Sequence, residues 1–368
     1  MSRASDHTPL KNPPKVTPSP RPSSSVLLIS PTNQILLLHR VRTSSSFPSA
    51  HVFPGGTLSA KHDGEIPAPD SPLRHEDGEA YRLAAIRETF EESGILLAKN
   101  KKTGRLLTEL GDKEREEGRK AVHGGKVKFT EWLAEKGGVA DTDALIPFTR
   151  WITPPNVPKR FTTQMYLYFL PLPTTSSSSS SSSRPSASSL SAETDEVVIP
   201  TPTPDGGLEH TAARFLPAAK WLSLARSNRI ILFPPQFFLL SLLSPHLGTT
   251  LTSATCPIPP RAALAAEREA LEEFLAAPSA VGGTPEPSWA DACISPVVLG
   301  PGQYGDGKGT MTVLRLDQAG EEAGMVGRER RGVREWVVMT RFQKEGPRDV
   351  DVKRAGEVFG EGWERGKL

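Results

Sequence analysis

Cysteine is nearly missing: the 368-residue chain has two, Cys256 and Cys293. So small a number excludes a disulfide framework and a thiolate zinc site, and it points to a reducing compartment. Long apolar runs are missing too. The longest, residues 230–243, is broken by Pro234 and Pro235 and falls short of the roughly 20 residues that span a bilayer, so no membrane span is expected. Neither sign of charge dominates: 44 Lys and Arg stand against 42 Asp and Glu, spread along the chain, which leaves no basic footprint for nucleic acid. The amino end carries no apolar core of the kind a secretory signal needs. Pro13, Pro14, Pro18, Pro20 and Pro22 would also break the amphipathic helix that mitochondrial import reads.

Proline, glycine and serine are plentiful instead. With 35 prolines, 31 glycines and a serine tract at 174–191, the compact part shrinks to one decorated enzyme domain. The expected organisation is a disordered Pro/Ser-rich segment at 1–24, a domain at 25–245 holding a loop insertion at 58–75 and the serine linker, and a C-terminal extension at 246–368. Prolines 67, 69 and 72 with Asp63-Gly64 make the insertion read as a loop bulging at the surface. Hydrophobic alternation places strands near 26–29, 34–40, 150–153, 161–170 and 211–216. Helices are expected near 79–95, 129–136, 236–243 and 261–276, and further strands near 311–316 and 336–342, which gives an α/β chain. Residues 99–126, charged and punctuated by glycine, read as loop or marginal helix.

The chemistry sits in EAYRLAAIRETFEESGI, residues 79–95. Glu88, Glu91 and Glu92 stand at i, i+3 and i+4 and share one helix face, where like charges repel unless something cationic sits among them. A divalent ion reverses that sign, and hard carboxylate oxygens suit Mg²⁺ or Mn²⁺. Such an ion neutralises a diphosphate and acidifies a bound water, leaving a glutamate as base. Arg87 reads as an orienter that pairs with Glu91 at i+4. With each required identity at roughly 6% of residues, the full pattern arises by chance in about one chain in 10⁴ to 10⁵.

The spacing Glu79, Arg87-Glu88, Glu91-Glu92, Gly94 resembles the box of the Nudix hydrolase superfamily, with Phe53-Pro54-Gly55-Gly56 upstream. Two departures stand out: Thr89 where the family has an aliphatic residue, and Leu73 where the box glycine falls, as though the box were split by the 58–75 insertion. The resemblance implies an α/β/α sandwich with a mixed, curved sheet, and a metal held by Glu88, Glu91 and Glu92. It gives catalytic roles to Glu88, Glu91, Arg87 and Glu79, the last supporting the site from the helix entry, and substrate or cofactor contacts to Gly55, Gly56 and Arg40. A further acidic ligand or base outside the box is common in the family, and Glu209 and Glu196 are the candidates.

Leu36 to Gly56, AIRETFEESGILL and TPPNVPKRFTT look like the peroxisomal coenzyme A diphosphatase-like branch. That branch implies hydrolysis of coenzyme A or an acyl derivative to 3',5'-ADP and a phosphopantetheine product. Within its upstream signature Arg40 is kept, while Leu38, Val41, Ser45 and Ser49 depart from the pattern, so a nucleotide sugar, ADP-ribose or dinucleotide stays open as the substrate, as does a non-catalytic Nudix-fold binding module. Arg42 lies close enough to supply the missing charge. The tail Gly366-Lys367-Leu368 differs in one residue from the Ser-Lys-Leu address that a peroxisomal import receptor reads, which makes the expected location peroxisomal or else cytoplasmic.

Overall fold

The computed structural model describes residues 17–43, 48–173, 202–203, 209–248, 259–277, 280–281, 284–302, 311–322 and 330–360. The serine linker, Glu196, Cys256 and the C-terminal tripeptide lie outside them. In chain order the first part runs β1 (Arg21–Ile29), β2 (Ile35–Arg40), β3 (His51–Val52), β4 (Gly55–Thr57), a 3₁₀ turn (Pro72–His75), α1 (Glu79–Ser93), β5 (Ala98–Asn100), α2 (Asp112–His123), α3 (Phe129–Glu135) and β6 (Gly138–Ala140). It continues with β7 (Ile146–Ile152), β8 (Phe161–Phe169), β9 (His210–Leu216), α4 (Ala218–Arg226) and α5 (Pro234–Leu243). The C-terminal part adds α6 (Arg261–Ala276), β10 (Ala280–Val281), β11 (Thr284–Pro285), β12 (Cys293–Ile294), β13 (Val297–Gly302), β14 (Met311–Arg315), β15 (Trp336–Gln343), β16 (Gly346–Arg354) and α7 (Ala355–Phe359).

The central sheet is mixed, in the order β12-β7-β8-β1-β2-β3, with β4 also on β1 and β9 on β2. β1 runs parallel to β8 from Arg21↔Phe161 to Ile29↔Phe169, and β12 runs parallel to β7. Strand alternation divides the core between the two faces. Val26, Leu28, Leu36, Leu38, Tyr166 and Tyr168 pack with Phe90 of α1 and Phe129 and Trp132 of α3. Leu27, Ile29, Ile35, Leu37 and Leu167 pack on the other face with Trp221 of α4, Phe237 and Phe238 of α5 and Leu271 of α6. This is the expected α/β/α sandwich. No described helix is long and apolar enough to cross a membrane.

Two expectations are corrected. Residues 21–24, read as disordered, belong to the central strand β1, where the serines on either side of Ser24 find partners: Ser23 Oγ lies 2.6 Å from Thr163 Oγ1, and Ser25 Oγ donates to Pro54 O at 2.7 Å. The 99–126 stretch contains the regular helix α2, whose Val122 is buried against α1 and α3. Trp221 lies in the body of α4, and its indole donates to Ile35 O at 2.9 Å. The C-terminal part is also more than an appendage: β12 joins the central sheet, and Leu314, Val338 and Val350 of the four-stranded sheet β13-β14-β15-β16 share the α4/α5 core.

Candidate active site

α1 lies across β1 and β4 and is buried on most of its circumference, so its charged residues are held inside the fold. It stops at Gly94, whose positive φ of 72° closes the helix while its N–H bonds Phe90 O at 2.9 Å. Thr89 does no harm in its buried place, because its hydroxyl donates to Ala85 O at 2.8 Å. Glu88, Glu91 and Glu92 come together as expected, facing the Gly55-Gly56 turn. Gly55 N–H donates to Glu92 Oε2 at 2.7 Å. At Gly56 the reason for glycine is close approach: a Cβ there would stand 2.5 Å from the Glu88 carboxylate.

Arg87 turns to the inner side of this cluster. Its Nη1 reaches Glu91 Oε1 at 3.1 Å, as the i+4 spacing required, and Glu88 Oε1 at 2.8 Å. Its main partner was not legible in the sequence: Asp63, inside the insertion, takes Nε and Nη2 in a two-pronged pair at 2.9 Å each. Burial alone would lower the pKa of Arg87, but the Glu88, Asp63 and Glu91 carboxylates outweigh it and hold the group above its ordinary value. The guanidinium is therefore a fixed positive charge at the back of the cluster.

The insertion lies at the surface from residue 64 to residue 73, as its prolines predict, but its two ends are drawn into the fold. His62, Asp63, Arg74 and His75 are buried. Prolines signalled a loop correctly, but a loop poor in N–H groups cannot pair its own carbonyls, and buried arginines do so instead. Arg150 Nη2 donates to Glu76 O at 2.7 Å, Arg330 Nη1 donates to His75 O at 2.8 Å, and Arg74 Nε ties the turn back to Pro20 O at 3.1 Å. Asp63 is thereby delivered into the site. Glu79, by contrast, is the exposed first residue of α1, nine positions or about 13 Å of helix before Glu88, and it does not line the cavity. Its charge suits the helix N-terminus. The acidic partner that Arg87 meets from outside the helix is Asp63.

Glu88, Glu91 and Glu92 line a cavity of about 430 Å³ that also takes in Thr57, His62, His123 and Glu209. His123 Nδ1 lies 3.0 Å from Glu91 Oε2, while Phe129 N–H donates to His62 Nδ1 at 3.2 Å. Arg40 reaches Glu209 at 3.4 Å on the β9 side, and a ligand atom each from Glu92, Glu209 and His210 lies within 4.8 Å of the others. The histidines carry no spacing signal, because they reach the site from α2, the insertion and β9. Burial, then the Glu91 charge, pushes Glu88 up to about 7 against the pull of Arg87. Burial, then the Glu88 charge, raises Glu92 well above the usual carboxylate range despite the Gly55 N–H. Desolvated like charges of this kind bind protons or a cation, and an all-oxygen face suits a hard divalent ion. The donor set fits Mg²⁺ or Mn²⁺.

Residues 69–191 match the family model described as the NUDT19 Nudix domain. Nudix hydrolase 7 of Caenorhabditis elegans is 33% identical over 154 residues, covering 42% of this chain and 45% of that protein. The acyl-coenzyme A diphosphatase NUDT19 of Gallus gallus is 31% identical over 184 residues, covering 36% of this chain and 47% of that protein. The chain thus spans less than half the length of these curated relatives. A NUDIX hydrolase structure from Alicyclobacillus acidocaldarius superposes with a TM-score of 0.46 at 22% identity, covering 65% of this chain and 93% of that one.

Proposed function

Since the chain belongs to the Nudix hydrolase superfamily, in its NUDT19 branch, we propose that it hydrolyses the diphosphate of coenzyme A or an acyl-coenzyme A, releasing 3',5'-ADP and a phosphopantetheine product. The observation that carries the reading is the convergence of Glu88, Glu91, Glu92 and the locked Arg87 on one cavity, with Gly55 N–H holding Glu92 from the turn behind it. A divalent cation held by Glu88, Glu91 and Glu92 would neutralise diphosphate charge and acidify a water. Gly55 N–H fixes the Glu92 carboxylate, and Arg87, anchored by Asp63, fixes Glu91 and Glu88. A water oxygen forms a bond to one phosphorus, the bridging P–O bond breaks with its electron pair on the departing phosphate, and the water proton passes to a carboxylate of this face. Arg40, at the cavity edge beside Glu209, offers a charge to a substrate phosphate.

The departures at Ser45 and Ser49 favour a second reading, the same hydrolysis on ADP-ribose, a nucleotide sugar or a dinucleotide. The purified chain with Mn²⁺ or Mg²⁺ should be given coenzyme A, acetyl-coenzyme A, ADP-ribose and diadenosine polyphosphates, with products identified by mass. Formation of 3',5'-ADP is the expected result. Cleavage of ADP-ribose with coenzyme A intact moves the substrate to the second reading, and a wholly intact panel overturns both.

A further inference from the structure

The cation face does not end with the box helix. β9 pairs with β2 along its length, and its first residue, His210, is pinned opposite Arg40 at the strand end nearest α1. The imidazole is fully buried, and its Nε2 stands 3.6 Å from Glu92 Oε1, the oxygen left over when Oε2 accepts the Gly55 N–H at 2.7 Å. Glu209 brings a third donor from the cavity side, and one ligand atom from each of Glu92, Glu209 and His210 falls within 4.8 Å of the others. We infer that Glu92, Glu209 and His210 form a mixed oxygen and nitrogen cation pole at one end of the glutamate face, selective for Mn²⁺ or a comparable transition ion over Mg²⁺. The inference rests on the proposed cation at that face and adds its identity.

Chemistry separates the two ions here. Mg²⁺ holds to oxygen donors and sheds water reluctantly, whereas an imidazole nitrogen raises affinity along the first transition row. The Gly55 N–H and the buried ring leave Glu92 and His210 little freedom to turn away, so the nitrogen is built into the pole. Arg40, at 3.4 Å from Glu209, holds that more exposed carboxylate toward the same end.

The test uses the full chain and Mn²⁺ alone, without substrate. Electron spin-echo modulation of bound Mn²⁺ should show directly coordinated ¹⁴N in the wild type, and labelling the histidines with ¹⁵N should convert the pattern. His210→Gln should abolish it and weaken Mn²⁺ binding by about 10–100-fold, with Mg²⁺ binding changed by less than about threefold. His123→Gln should keep the signal. Absence of nitrogen coupling in the wild type overturns the inference even if His210→Gln proves unstable, and so does loss of the signal in His123→Gln instead. Because no turnover is read, failure of coenzyme A hydrolysis leaves this result standing, and failure of nitrogen coupling leaves the hydrolysis untouched.

Discussion

Replacing Asp63 probes the link between the insertion and the catalytic helix. The Arg87 and Asp63 side chains are 4% and 0% exposed, and Asp63 Oδ2 also accepts Ser59 N–H at 2.7 Å. Removing one partner of a buried ion pair costs about 3–5 kcal/mol when nothing else answers the stranded charge. Here Glu88 at 2.8 Å and Glu91 at 3.1 Å still face the guanidinium, and asparagine keeps one acceptor oxygen. Asp63→Asn is therefore expected to cost about 2–3 kcal/mol and Asp63→Ala about 3–4 kcal/mol. At roughly 2–4 °C per kcal/mol, Asp63→Asn lowers the melting temperature by roughly 4–12 °C. Arg87 also orients Glu88 and Glu91, so turnover should fall about 10–100-fold, as for groups that hold metal ligands in place. Thermal unfolding by circular dichroism and steady-state turnover read the two effects. A combined Asp63→Asn, Arg87→Gln variant should cost less than the sum of the singles by about 1–3 kcal/mol. If both Asp63 variants melt within about 1 °C of the wild type and turn over within about twofold, the insertion does not support the helix and the reasoning is refuted.

Gly56→Ala should lower the melting temperature, because the clash falls on the Glu88 carboxylate that Arg87 holds at 2.8 Å, and should lower turnover by about 10–100-fold through displacement of that carboxylate; equal turnover would show that the close approach is incidental. The metal-free protein should respond to pH through Glu88, raised from 4.5 to about 7, and Glu92, raised well above the usual carboxylate range. The folded state binds more protons than the unfolded one in that window, so these groups favour folding below about 4.5 and lose that contribution as pH rises through about 7. His51 and His75, both lowered from 6.5 to about 4, act in the opposite sense, since stability falls as they are forced to protonate on acidification. The clean observable is the melting-temperature gain from added Mn²⁺, which should grow between pH 5 and pH 7 as protons leave Glu88. A gain that is flat across that range would contradict the assignment of Glu88 to the cation.

The box helix and α6 were legible because each rests on a local pattern, carboxylates at i, i+3 and i+4 in one and an Ala/Glu/Leu run in the other. The two-faced sheet was legible for the same reason, since Val26 to Ile29 and Leu36 to Leu38 read as strand from their apolar character alone. The start of β1 was not, because Ser23, Ser24 and Ser25 are buried through hydrogen bonds and packing that periodicity does not count. Nor was β12, two residues whose only recommendation is the register Cys293↔Arg150 with a strand more than a hundred positions away. In the site, Glu88, Glu91, Glu92, Arg87, Gly55 and Gly56 meet as their spacing required. Asp63 escaped because the same prolines that marked its loop gave no hint that Arg74, Arg150 and Arg330 would draw the loop inward.

We propose that the glutamate face of α1 holds a divalent cation and splits a diphosphate. It is tested most directly by following coenzyme A with Mn²⁺ in the wild type and in Glu91→Gln, with products identified by mass. Expected are 3',5'-ADP from the wild type and a loss of about 10²-fold or more in Glu91→Gln, whose melting temperature stays within a few degrees. Undiminished turnover in a folded Glu91→Gln would contradict it.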